Sequence, residues 1–155
     1  MCVRVYNNSM EWGVYMTKEE KYAHWEALAI YDLETADAML KSGRYMYVAF
    51  TCQQAIEKLA KALHVLYLEK EAPKTHNIIT VITAVFDVYK PNTEDFEEKY
   101  KKYQPLMAKL FSYYVSERYV EYKNKINKTL DKRSSEKLLE ETKEVFVWLQ
   151  SLKNF

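Results

Sequence analysis

The residues after Arg118 are the ones whose types suit holding phosphate. Between residues 117 and 133, Arg118, Lys123, Lys125, Lys128, Lys132 and Arg133 face three acids, Glu117, Glu121 and Asp131. Lysine and arginine at a loop–helix junction neutralise phosphates without reading sequence. Tyr113, Tyr114, Tyr119 and Tyr122 lie alongside and could stack bases. The same composition also suits a solvated connection. A second polar group, Gln53, Gln54, Glu57, Lys58 and Lys61, decorates one side of an apolar-striped segment. Glu57 and Lys61 form an i,i+4 pair in the favourable order, worth about 0.3–0.5 kcal/mol on an open surface. That side is either a solvated face or a polar seam against another helix or a partner.

Other chemistries find no support. Di-iron carboxylate bundles need Glu-x-x-His, which places both ligands on one helix face. The residues three before His24, His64 and His76 are Lys21, Lys61 and Pro73. No His-x-x-x-His or Cys-x-x-Cys spacing occurs, so no metal and no cofactor is expected. Cys52 falls on an apolar stripe and reads as core, with no spacing that nominates a histidine partner. Glycine occurs only at positions 13 and 43, so neither a P-loop nor a dinucleotide fingerprint can be written. His24 and His64 read as helix residues, and His76 as a residue that satisfies local backbone groups.

Composition bounds the elements that carry these groups. The 155 residues are 48% apolar and 29% charged, with a net charge of +1, which fits one globular domain without a strong global pull on nucleic acid or membrane. No apolar run approaches the ~18 residues that span a bilayer. The first ten residues lack the apolar stretch of a secretory signal. Two cysteines, Cys2 and Cys52, do not make a disulfide framework and fit a reducing cytoplasm. Two glycines and three prolines argue against a sandwich or barrel that turns every ten residues. The fourteen tyrosines fit boundary packing, a wet interface or a base-stacking surface.

Helical periodicity runs through the chain. Thr17 and Glu20 have the capping-box spacing and begin a first helix that Ser42-Gly43 ends. Tyr45, Val48, Ala49, Cys52, Ala55, Ile56, Leu59, Ala60, Leu63, Leu66 and Tyr67 stripe a second helix, with Pro73 marking its end. Thr75 is the expected N-cap of a third helix over Ile78, Ile82, Val85, Phe86 and Tyr89. A fourth runs from about Thr93, with a kink or a break at Pro105. Ser134 or Ser135 is the expected cap of the last helix, striped by Leu138, Thr142, Val145, Leu149 and Leu152. The expected fold is all-α, an antiparallel up-and-down bundle of four to five helices. Residues 1–16 are an atypical leader, and 17–155 are a single domain.

Four strings, in order and spacing, resemble the HEPN domain (higher eukaryotes and prokaryotes nucleotide-binding). Asp32-Leu33-x-x-Ala36 followed by Leu40-x-x-Gly43-Arg44-Tyr45 resembles its lead-in. Tyr45-x-x-Val48-Ala49-Phe50-x-x-Gln53-Gln54-Ala55-Ile56-Glu57-Lys58-x-x-Lys61-Ala62-Leu63 resembles its second helix. Thr75-His76-Asn77-Ile78 resembles the His-Asp-Leu step that opens its third. Tyr113 to Tyr119, closing on Glu117-Arg118-Tyr119, resembles the Arg-Tyr-Pro end of its fourth. The resemblance spans roughly residues 20–150. It implies a helical bundle, usually a homodimer, often encoded beside a minimal nucleotidyltransferase as a two-protein toxin–antitoxin module. Some members are metal-independent ribonucleases carrying an Arg, four to six residues, then a His at the dimer interface. There the Arg would hold the scissile phosphate and the His would move a proton to or from the 2′-hydroxyl or the leaving oxygen.

This chain departs from that pattern. Lys123, Asn124 and Lys125 fill the histidine window after Arg118. A lysine, ordinarily titrating near 10.4, is a poor base at neutral pH. The tyrosine modified in some toxins, two after the His, is also missing, with Lys125 in its place. His76 can substitute only where the fold brings it to Arg118. The sequence therefore implies a non-catalytic, cytoplasmic HEPN protein, with its enzyme status open. It would bind nucleotide, RNA or a nucleotidyltransferase partner near Arg118, Tyr119, Lys123, Tyr114 and His76, with Gln54, Glu57, Lys58 and Lys61 as the seam. The alternatives are a ribonuclease toxin with a divergent site and a dimeric scaffold without a small-molecule ligand.

Overall fold

The first helix begins as its sequence dictates. Thr17 Oγ1 accepts from the Glu20 backbone N–H at 3.1 Å, and Glu20 Oε2 accepts from the Thr17 N–H at 2.7 Å. Two otherwise orphaned donors are thereby satisfied. The computed structural model describes residues 15–91, 95–119, 124–125 and 128–154. Within them, α1 spans Lys18–Lys41, α2 Tyr45–Leu68, α3 Ile78–Val88, α4 Phe96–Arg118 and α5 Lys132–Ser151. The described residues contain no strand. The fold is an all-α bundle. Most of the expected leader falls outside the described residues; its last two, Tyr15 and Met16, are exposed.

Gly43, at φ +67°, turns the chain between α1 and α2. A side chain there would meet the steric cost of left-handed backbone. α2 then runs antiparallel to α1: Lys18 pairs with Glu69, Asp32 with Lys58, and Lys61 lies over the Trp25 ring. Sixteen of its 24 residues are buried. The striped side is buried as its spacing predicts, but so are Gln53, Glu57 and Lys61 on the polar side. α2 is the axis, and α1, α3, α4 and α5 pack around it. Small residues at 49, 55, 60 and 62 let neighbours approach closely.

α5 lies antiparallel to α1, since Glu26 accepts from Gln150 and Lys153 while Asp37 faces Lys143. Phe86, Phe96, Tyr100, Tyr103 and Trp148 join α3, α4 and α5 in one aromatic cluster. Phe86 meets Phe96 edge-on at 4.8 Å, and Tyr103 lies 5.1 Å from Trp148. Much of the tyrosine surplus thus serves packing: Tyr22, Tyr103 and Tyr114 are buried, whereas Tyr31 and Tyr119 are exposed. No described helix is long and apolar enough to cross a membrane.

Several boundaries differ from the sequence expectations. α2 ends at Leu68, five residues before Pro73, because Glu69 takes left-handed backbone at φ 54°. Asn77, not Thr75, caps α3, and its Oδ1 accepts from the Ile79 and Thr80 N–H groups. Thr75 Oγ1 accepts instead from Asn77 N–H, one step upstream. Pro105 does not split α4, which is continuous from Phe96 to Arg118. The missing N–H would have bonded to the Lys101 carbonyl. Both residues are exposed there, so water can serve that carbonyl. Asp131 caps α5, and Ser134, expected as the cap, is its reciprocal partner: Asp131 Oδ1 accepts from Ser134 N–H, and Ser134 Oγ accepts from Asp131 N–H.

Cys52 is fully buried, and burial pushes its thiol up to about 12 against the opposing pull of Thr142. The reactive thiolate is suppressed at neutral pH. In a Cys2→Ser background, Ellman's reagent should therefore find no reactive thiol in the native protein and one per chain after denaturation. Rapid native labelling would contradict this placement of Cys52.

Candidate functional site

The site grows out of one carboxylate. Glu57, in the middle of α2, is almost completely buried. Gln53 stands one turn before it and Lys61 one turn after, so both reach it along the same helix face. Gln53 Nε2 donates to Glu57 Oε2 at 2.7 Å, and Lys61 Nζ donates to Oε1 at 2.7 Å. Lys61 is itself nearly buried, with Trp25 beneath it. Of the expected polar seam, Glu57 and Lys61 are buried inside the chain rather than solvated.

The third partner arrives from the connection between α2 and α3. His76 Nδ1 lies 3.2 Å from both Glu57 oxygens. Gln53 Nε2 also donates to the His76 carbonyl at 3.1 Å, which pins the backbone as well as the ring. The far side of the imidazole is covered by Tyr114 of α4, with ring centres 4.2 Å apart. The Arg118 guanidinium carbon lies 4.6 Å from the centre of the same Tyr114 ring. The sum of 4.2 Å and 4.6 Å bounds the separation of imidazole centre and guanidinium carbon at 8.8 Å. His76 and Arg118, 42 positions apart in sequence, therefore belong to one cluster.

Not every expected site residue joins it. Gln54 enters indirectly, its Nε2 donating to Gln53 Oε1 at 2.6 Å. Lys58 leaves the cluster and is drawn to Asp32 of α1. Tyr119 lies just past the end of α4 and is 59% exposed. Lys123 falls outside the described residues. Tyr114, expected to stack bases, is 7% exposed, with His76 and Arg118 against its ring. It supports the two flanking groups instead. Gln53, read from the sequence as part of the polar side of α2, is a direct partner of Glu57. Trp25 is a member that the sequence did not single out, because it looked like any apolar helix residue.

Chemically, the cluster presents a half-exposed imidazole, its Nδ1 against a buried carboxylate, beside an exposed guanidinium. These are groups that bind phosphate and move protons. The other histidines do not join them. His24 is exposed on α1, and His64 is buried with its imidazole held below the ordinary range by desolvation. Among the described residues, no three His, Cys, Asp or Glu side chains form a group able to hold a metal ion.

Residues 22–152 match the family model of the HEPN domain. The chain belongs to the HEPN domain family. Its fold is similar to the crystal structure of TT1696 from Thermus thermophilus, with a TM-score of 0.62 and 17% identity over 86% of this chain and 98% of that one. No curated protein matches the chain.

Removing one member of a buried ion pair leaves an uncompensated charge. Lys61→Met should therefore lower the unfolding free energy by about 3 kcal/mol, read from urea denaturation. The double variant Glu57→Leu/Lys61→Met should recover most of that loss. A Lys61→Met protein as stable as the parent would show that the pair does not carry a buried charge.

Proposed function

We propose that this HEPN protein binds a phosphate-bearing nucleotide ligand through Arg118 and His76. The observation that carries the proposal is the placement of both groups against the one Tyr114 ring. The guanidinium supplies two parallel donors suited to phosphate oxygens. The imidazole, once protonated, supplies a further donor close to the same ring. In this reading the protein is cytoplasmic and homodimeric. It works in a two-protein, toxin–antitoxin-like module, with a minimal nucleotidyltransferase as its partner. Family membership and the missing histidine after Arg118 support that assignment.

Calorimetric titration with AMP, ADP, ATP and a short single-stranded RNA tests the site, with sedimentation of the same samples reporting the dimer. A charge-assisted contact is worth about 1.5–3 kcal/mol, so Arg118→Ala should weaken binding at least about tenfold. Unchanged affinity in the variant would remove Arg118 from the site.

A second reading, metal-independent RNA cleavage, is favoured by the arrival of His76 beside Arg118. The fold here supplies an imidazole from the start of α3 where the sequence after α4 has none. Incubation of the purified protein with RNA in excess chelator should then give cleavage that both Arg118→Ala and His76→Ala abolish. An intact substrate at high protein concentration would rule this reading out.

A further inference from the structure

We propose that Glu57 is the positioning residue of this site and makes capture of a phosphate-bearing ligand depend on the uptake of a proton at His76. The inference rests on the ligand site proposed above. Its starting point is the direction of the hydrogen bonds around Glu57. Gln53 Nε2 and Lys61 Nζ can only donate, and both are 2.7 Å from a Glu57 oxygen. A lysine against a buried carboxyl favours the ionised carboxylate. An ionised carboxylate accepts and cannot donate, so the His76 Nδ1 that faces both of its oxygens must carry a hydrogen. In a neutral imidazole the lone pair then falls on Nε2.

Among the described residues, Nε2 makes no hydrogen bond, and the His76 side chain is 44% exposed. A lone pair repels a phosphate oxygen. The ring therefore becomes a donor to an anion only after Nε2 takes up a proton. The groups facing His76 define the charge balance. From α2, Glu57 attracts that proton, and Lys61 behind it opposes. From α4, Tyr114 covers the ring, and Arg118 beyond it opposes. Glu57 and Lys61 already cancel each other. An imidazolium at His76 would thus add to the positive charge of Arg118, and a bound phosphate offsets that addition. Proton and ligand favour each other, as linkage requires in both directions.

The chosen probe is a short 2′-O-methyl RNA oligonucleotide, whose diesters keep a fixed charge between pH 5.5 and 8 and cannot cyclise. Because the added proton turns Nε2 into a donor to the phosphate, the probe's affinity for the wild-type protein should rise roughly tenfold from pH 8 to pH 6. His76→Gln should bind with no such slope. In Glu57→Gln the rise should move to lower pH, because the imidazolium loses its carboxylate. A readout without ligand or variant is the ¹⁵N spectrum of His76 in the wild-type protein, where the neutral ring should hold its hydrogen on Nδ1. A flat pH profile, or a neutral ring with its hydrogen on Nε2, would overturn the role of Glu57 and leave the ligand site standing. Failure of both the oligonucleotide and ATP to bind at any pH would overturn the ligand site. The ring spectrum would then decide the role of Glu57 by itself.

Discussion

A carboxylate on a helix that is packed on nearly every side must find its donors inside the protein. Glu57 imposes that condition on this bundle. Leaving the charge unpaired would cost several kcal/mol, far more than an exposed ion pair returns. Gln53 and Lys61 supply two donors through helical spacing alone. The third comes from His76, so the connection after α2 has to pass over Glu57 before α3 begins. Tyr114 packs on the imidazole, and Arg118 packs on Tyr114. The position of the guanidinium at the end of α4 thus traces back to a buried charge in α2.

The placement of α2 has a second effect. An isolated amphipathic helix needs one apolar stripe, and α2 has a clear one. Yet Ala62 and Val65 are also buried, and so are five polar residues, Thr51, Gln53, Glu57, Lys61 and His64. A helix at the centre of a bundle keeps only a narrow solvated strip, here along Tyr47, Gln54 and Lys58, so polar residues outside it become internal structure. Periodicity reports the apolar face of such a helix and cannot reveal that the opposite face is covered too. This is why Glu57 and Lys61 looked equally suited to a surface pair.

The sequence was legible where local chemistry decides structure. Thr17 and Glu20, Ser42-Gly43 and the stripe of α2 each carry their meaning within a few residues. Errors arose where two short polar residues compete for one role. Asn77 and Thr75 both suit a cap, as do Asp131 and Ser134, and the difference lies in which oxygen meets the free N–H groups. Pro105 left a kink and a break both open, and α4 shows no break. Its cost depends on whether water reaches the freed carbonyl, which is a tertiary property. The site was legible in its parts, His76, Arg118, Tyr114 and Glu57, but not in its assembly. Their meeting is set by how α3 and α4 dock on α2. A fold shared at 17% identity with TT1696 leaves function to the side chains themselves.

The two groups packed on Tyr114 are not equally fixed. His76 is held through its ring by Glu57 and through its backbone by Gln53. Arg118 is the last residue of α4, and among the described residues it makes no ion pair. Under the proposed function, a phosphate would meet an imidazole held at ring and backbone and a guanidinium held against one aromatic ring. The entropy lost on ordering would fall almost entirely on the arginine. Ligands of different length could then be gripped by the same pair, with the arginine setting the span.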